Sequence, residues 1–139
     1  MTRNDVERLI TAFEAKDLEA VMAEFADDAT VYDPHYPQTD MVGKEAIRQG
    51  MEWAFGNMEK PGFTIRKLWI DDDQAALELD THHVFKGGME LKSPQVFIIE
   101  TRNGLITRLQ SYMPYRPGGI GGWMAKAVGL SWRIRGKTQ

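Results

Sequence analysis

The stretch Phe25-Ala-Asp-Asp-Ala-Thr-Val-Tyr-Asp-Pro34 separates two kinds of sequence pattern and decides how the rest of the chain is interpreted. Its residues 29–32, Ala-Thr-Val-Tyr, are typical of a short strand. Asp33-Pro34 predicts the end of that strand, because proline lacks an amide hydrogen and biases the preceding residue toward an extended conformation. Helical periodicity precedes this stretch, and strand-like runs dominate the second half of the chain.

Three helices are predicted around this stretch. Apolar residues recur at i, i+3, i+4 and i+7 after Asn4, which with Glu7 resembles a capping box. Asp17 is the predicted N-cap of a second amphipathic helix. A third helix should follow Gly43 and stop at Lys60-Pro61-Gly62.

Four strands are predicted in the second half, at 63–70, 75–85, 89–101 and 105–115. The dipeptides Gly87-Gly88 and Asn103-Gly104 predict the turns of two hairpins. Helices followed by consecutive strands indicate an α+β fold. Residues 1–116 are interpreted as the domain proper, and residues 117–139 as a glycine-rich link and an amphipathic tail of the same domain. The tail would pack on a second subunit or cover a pocket, or otherwise lie on a membrane surface.

Composition limits the class of protein. The 139 residues suffice for one domain with its own core, and the absence of cysteine excludes disulfides, thiolate zinc sites and cysteine nucleophiles. No apolar run is long enough to span a bilayer, and the polar N-terminus is unlike a signal peptide, so we expect a cytoplasmic protein. Residues 1–80 carry a net charge of −10 and residues 81–139 one of +7, yet no dense basic patch predicts nucleic-acid binding.

The order of these elements resembles the nuclear transport factor 2-like superfamily. Residues 25–34 closely resemble a segment of bacterial ketosteroid isomerases, and Gly43-Lys-Glu-Ala-Ile47 and Asn103-Gly-Leu-Ile106 are similar to SnoaL-like polyketide cyclases. The resemblance implies a curved, mostly antiparallel sheet wrapped on three N-terminal helices, like a cone with a pocket inside. It also implies a homodimer, and it covers roughly residues 4–115.

The resemblance implies candidate catalytic residues. Asp33 falls where the isomerases keep their proton-shuttling aspartate, whereas Leu9 and Val96 stand where they keep two hydrogen-bond donors. His82 matches the histidine of a Gly-Thr-His element in the cyclases, and Asp80 replaces its glycine. Asp33 is therefore a candidate general base or acid, with His82 as its partner and Asp80 orienting that histidine. Alternatively, Asp33 only stabilises the turn before Pro34.

The orientation of the 75–85 strand decides between these possibilities. Glu78, Asp80 and His82 share one face of the strand, and two leucines, Thr81 and His83 share the other. The resemblance favours the acidic face in the pocket, whereas simple burial of the leucines favours the opposite orientation.

A pocket of this composition suits a small hydrophobic ring compound. No metal-binding spacing, phosphate-binding loop or dinucleotide fingerprint is present, so neither metal nor cofactor is predicted. We expect a cofactor-independent isomerase, cyclase, dehydratase or hydrolase, and the alternative is a protein that only binds a hydrophobic ligand or another protein. The candidate substrate-binding residues are Tyr32, His35, Tyr36, Trp53, Glu78, Gln95 and Tyr112.

Overall fold

The structure, a computed structural model, describes residues 1–114 and seven residues of the tail. The side chains of those seven are exposed: Ile120, Trp123, Met124, Lys126, Ala127, Leu130 and Ile134. The roles predicted for 117–139 lie largely outside the described residues. In the described part of the chain, the helices are all too short or too polar to cross a membrane.

Within residues 1–114, helices dominate the first half and strands the second, as the pattern predicts. The elements are α1 (Arg3–Glu14), α2 (Leu18–Ala23), β1 (Phe25–Tyr32), β2 (Asp40–Val42), α3 (Lys44–Asn57), β3 (Met58–Lys60), β4 (Phe63–Asp71), β5 (Gln74–Phe85), β6 (Glu90–Arg102) and β7 (Leu105–Tyr112). Over residues 1–114, three helices therefore pack with one seven-stranded sheet, which confirms the α+β class.

Helix starts follow local capping chemistry. The predicted cap of α1 by Asn4 and Glu7 is wrong, because Thr2 and Asp5 form the capping box two residues earlier. The Asp17 side chain accepts from the Ala20 amide and caps α2, as predicted. α3 starts directly after Gly43, whose φ of 86° lies in the left-handed region.

The sheet is mixed and open, with strand order β2-β1-β7-β6-β5-β3, and β4 also pairs with β5. β1 and β7 run parallel, and all other pairs among the described residues are antiparallel. This mixed, mostly antiparallel sheet is the predicted architecture. β2 and β3, each of three residues, were not predicted, since such short edge strands carry no periodic signal.

The long strands place alternate residues on two faces. Along β5, the odd-numbered residues from Ala75 to His83 are buried and the even-numbered ones are partly or fully exposed. The same alternation holds in β6, where Gln95, Phe97 and Ile99 are buried. The inner face of the sheet and the apolar stripes of the helices thus enclose the core and a cavity.

Candidate functional site

One cavity lies between the helices and the inner face of the sheet. Its volume is about 70 Å³, measured as the space open to the centre of a water-sized sphere. That is several times the volume that one water needs, so the cavity has room for an organic molecule. Its walls are mainly aliphatic and aromatic, which favours a hydrophobic ligand. The lining side chains that carry polar atoms are Asp33, His35, Tyr36, Trp53, His83 and Gln95.

Asp33 lies at the end of β1 and is only 7% exposed. Its amide donates to the Thr39 carbonyl, and its carbonyl accepts from the Tyr36 amide at 3.2 Å, so the residue initiates a tight turn. Its Oδ1 accepts from the His35 amide at 2.9 Å. Asp33 thus stabilises the turn, as one interpretation predicts, and it also lines the cavity.

His35 is the residue that this turn brings to Asp33. Its Nδ1 lies 2.9 Å from Asp33 Oδ1. Nδ1 must carry the proton, because an unprotonated Nδ1 would set its lone pair against the carboxylate. The other ring nitrogen, Nε2, then has a free lone pair. It is buried and has no hydrogen-bond partner among the described residues, and His35 lines the cavity.

Gln95 also lines the cavity, next to this pair, and is held by other polar side chains. Its Oε1 accepts from the Thr81 hydroxyl, and its Nε2 donates to Ser111 Oγ at 3.2 Å. The same Nε2 lies 3.3 Å from His35 Nδ1. Three buried polar side chains from β5, β6 and β7 thus fix one another near the imidazole.

Tyr36 and Trp53 are further lining residues of the cavity. The Tyr36 hydroxyl donates to Met51 Sδ at 3.6 Å, a weak acceptor. Burial, with the Asp33 charge, raises the pKa of Tyr36 well above its usual range, so the phenol stays neutral. The Trp53 ring lies 6.0 Å from the Tyr36 ring between centroids, and Trp53 is 39% exposed. The tryptophan therefore sits where the cavity meets the surface.

His83 is a second histidine of the cavity and is only 6% exposed. Its Nδ1 accepts from the Gly62 amide at 3.1 Å, and its ring packs against Phe13 and Phe63. Burial lowers the pKa of His83 to about 4, so the imidazole is neutral at physiological pH. Sequence reasoning missed His83 as a site residue, although it shares the parity of the leucines of β5.

The predicted pocket orientation of Glu78, Asp80 and His82 is wrong. The Asp80 carboxylate accepts from Arg66 Nε at 2.6 Å on the outer face of the sheet. His82 pairs with Glu90 at 2.9 Å, and its side chain is 51% exposed. Burial of the leucines decides the orientation of the strand. Burying two large apolar side chains stabilises the fold, whereas burying charged side chains costs free energy. His82 therefore cannot be the partner of Asp33, and Asp80 cannot orient such a pair.

Two other predicted ligand contacts are also wrong. Tyr32 follows Val31, which lines the cavity, and so points away from it. Tyr112 pairs in register with Val96 and is largely exposed on the outer face. The other candidates line the cavity: Asp33, His35, Tyr36, Trp53 and Gln95.

In the described part of the chain, no cluster of three or more histidine, aspartate or glutamate side chains could hold a metal ion. The donor set around the cavity agrees with that finding, because Asp33 Oδ1 is already shared with the amide and the ring of His35. The site thus consists of one carboxylate–imidazole pair and a second, separately fixed imidazole.

The sequence of residues 6–109 matches the family model of the SnoaL-like domain. The match spans most of the chain, and the protein therefore belongs to the SnoaL-like family of the nuclear transport factor 2-like superfamily. The curated proteins include no significant match to the chain.

Solved structures share the fold. A Catenulispora acidiphila protein with a ketosteroid isomerase-like fold, in complex with trimethylamine, is 25% identical with a TM-score of 0.72, covering 84% of this chain and 89% of its own. The Δ5-3-ketosteroid isomerase of a Mycobacterium species is 22% identical with a TM-score of 0.72, covering 80% and 91%. A Mycobacterium tuberculosis protein in complex with estradiol-17β-hemisuccinate is 23% identical with a TM-score of 0.70, covering 79% and 91%.

Proposed function

We propose that the protein is a cofactor-independent enzyme that moves a proton on a hydrophobic ring compound, with His35 as general base and acid and Asp33 as its orienting partner. One observation carries the proposal: His35 Nε2 is buried without a described partner in an apolar cavity, while Nδ1 is held by Asp33. The roles of Asp33 as turn former and as support for a base are compatible, since one oxygen serves both contacts.

The arrangement suits general acid–base catalysis. A carboxylate that accepts the Nδ1 proton fixes the tautomer and the orientation of the ring, so that the lone pair of Nε2 faces the substrate. The largely apolar walls offer a bound substrate few proton acceptors besides His35 Nε2, and the opening at Trp53 lets the abstracted proton exchange with solvent. Isomerisation, cyclisation, dehydration and hydration all need such a proton transfer, and the reaction class is therefore broader than any one of them.

The proposed substrate is a hydrophobic molecule with at least one ring. The cavity is lined by Phe13, Phe25, Phe63 and Phe97, and its few polar atoms lie at defined places rather than around the whole wall. The Mycobacterium tuberculosis protein of the same fold was solved with a steroid derivative, which agrees with this ligand class.

The test is exchange of carbon-bound hydrogen for deuterium in D₂O, followed by NMR. The probes are cyclohexanone, 2-tetralone and 4-androstene-3,17-dione, three ring ketones of increasing size with acidic α-hydrogens. We expect the protein to accelerate exchange of at least one of them. His35→Gln should lower that rate by about 10²–10⁴-fold, because the amide fills the space but is no base. Asp33→Asn should lower it by a similar factor through the wrong tautomer.

The matched control is His82→Gln, because His82 is a histidine on the outer face of the sheet, away from the cavity. This variant should leave the exchange rate unchanged. If at least one of the three ketones binds but all three exchange at the buffer rate, the enzyme proposal fails. The alternative function, binding of a hydrophobic ligand without chemistry, would then hold. If none of the three ketones binds or exchanges, neither the enzyme function nor the binding function holds for ring ketones.

A homodimer and a cytoplasmic location are also proposed. The outer face of the sheet carries Trp69 and Tyr112 as exposed aromatic residues among partly buried Val96 and Ile98, as an interface between copies would require. Sedimentation velocity tests the dimer, and a single species of monomer mass at micromolar concentration would exclude it.

A further inference from the structure

His83 has a hydrogen-bonding pattern that fixes its chemical role. The Gly62 amide donates to Nδ1 at 3.1 Å, so Nδ1 is unprotonated and the neutral ring carries its proton on Nε2. Nε2 has no hydrogen-bond partner among the described residues, and the ring lines the cavity. His83 is thus a nine-tenths buried donor, complementary to His35, whose Nε2 presents a lone pair.

The backbone keeps this tautomer in place. Gly62 approaches β5 so closely that a Cβ there would lie 2.8 Å from the His82 carbonyl oxygen. The His82 amide donates to the Gly62 carbonyl at 2.9 Å, which anchors the segment on the strand. Phe13 and Phe63 pack on the imidazole and prevent its rotation. The Nε2–H direction is therefore set by the fold before any ligand arrives.

We infer that the substrate is a carbonyl compound whose oxygen accepts a hydrogen bond from His83 Nε2–H while His35 Nε2 removes a proton from the adjacent carbon. This inference rests on the proposed function. In the step, the C–H electron pair forms a C=C bond, the carbonyl π pair moves to oxygen, and the proton goes to His35 Nε2. Reprotonation of the same or another carbon restores the carbonyl and the neutral imidazole.

A neutral imidazole suits this role. Burial, and the nearby His35 when it is charged, lower the pKa of His83, whereas the Asp33 carboxylate opposes that shift. The donor consequently stays uncharged over the physiological range and adds no charge to an apolar cavity that binds a neutral ketone. Neutral histidine as an electrophile is known chemistry for carbonyl substrates.

The test compares two variants that each keep one nitrogen position of His83. In His83→Asn, the amide oxygen takes the place of Nδ1 and can still accept from Gly62, but the Nε2–H donor is lost. In His83→Gln, the amide nitrogen takes the place of Nε2 and the donor is kept, but the acceptor for Gly62 is lost. The readouts are the infrared carbonyl band of bound 2-tetralone labelled with ¹³C at the carbonyl, and its deuterium exchange rate.

We expect the band of the ketone bound to wild-type protein to lie below its position in hexane, at the same frequency from pH 6 to pH 8. His83→Asn should return the band to the hexane position and slow exchange by about 10²-fold. His83→Gln should keep most of the band shift despite any loss of stability. Circular dichroism and thermal unfolding of both variants establish that they are folded.

A wild-type band at the hexane position, or a shift that survives in His83→Asn, overturns the inference. So does loss of the shift in both variants alike, since that pattern reports the shape of the cavity and not the donor. Failure of the proposed function is a separate result. In that case the wild-type protein shifts the carbonyl band of 2-tetralone through His83 but does not accelerate its deuterium exchange. His35→Gln then leaves the exchange rate unchanged.

Discussion

The inner and outer faces of β5 are built from alternate residues of one strand and have opposite properties. The inner face, with Leu77, Leu79 and His83, is buried and borders the cavity. The outer face carries Glu78 and Asp80, which share Arg66, and His82, which contacts Glu90 at the surface. Adjacent residues of β5 thus lie in opposite environments, whereas alternate residues share the same environment.

The two adjacent histidines make the difference concrete. His83 is neutral, fixed by a backbone amide and surrounded by aromatic rings. His82 is half exposed and contacts Glu90, whose pKa is lowered mainly by its hydrogen bonds to Lys92 and His82. A histidine can serve as a fixed donor only where solvent and mobile counter-charges are excluded, and β5 provides that on one face alone.

The largest effect should come from truncating the inner face. Leu77 is fully buried, and Leu77→Ala should lower the free energy of unfolding by about 2–5 kcal/mol, because it removes apolar contacts and enlarges the cavity. Glu78→Ala, one residue away, should change it by less than about 0.5 kcal/mol. Urea unfolding measures both. Equal losses for the two variants would contradict the assignment of faces.

The second-largest effect should be a pH dependence of the free energy of unfolding that arises from the titration of His83. The unfolded chain protonates this residue near its ordinary pKa of 6.5, whereas the folded protein does so only near 4. The unfolded state therefore binds more protons between these values, and the protein should lose stability as the pH falls from 6.5 to 4. The loss is at most about 3 kcal/mol for this residue.

Unfolding free energies measured between pH 7 and pH 4 test this dependence. His83→Asn should flatten the curve, because the titrating group is gone, while His82→Asn should leave its slope nearly as in the wild type. A His83→Asn curve as steep as the wild-type curve would assign the dependence to other groups, including Asp33 and His35, which act on His83.

Local patterns predicted the fold well because each helix start and hairpin turn rests on a few neighbouring residues. Asp17 caps α2, and Asn103-Gly104 turns the chain with φ angles of 53° and 78°. The error at α1 had a local cause too, since Thr2 with Asp5 repeats the capping-box spacing of Asn4 with Glu7 two residues earlier. Short strands such as β2 depend on partners distant in sequence, and no local signal announces them.

The site was harder to predict because it depends on orientation and on distant contacts. Asp33 and His35 are two residues apart, yet their pairing depends on a turn that the Asp-Pro dipeptide only partly specifies. The resemblance favoured His82 over His83, and strand parity reverses when an alignment shifts by one residue. Burial of Leu77 and Leu79 was the stronger physical signal.

The smallest effect should come from the outer face. A bulge between Ile65 and Lys67 places Arg66 beside Asp80, with 2.6 Å between Nε and Oδ2, but both side chains are about half exposed. Asp80→Asn should therefore cost less than about 1 kcal/mol, because solvent screens the pair. The cost should shrink further in 1 M salt.

The same variant asks whether the outer face takes part in chemistry. Asp80→Asn should leave the deuterium exchange rate of a ring ketone as it is in the wild type, because the carboxylate points away from the cavity. A large loss of exchange in Asp80→Asn with the fold intact would connect the outer face to the reacting atoms. An unchanged rate, beside a loss in His83→Asn, would confine the chemistry to the inner face of the strand.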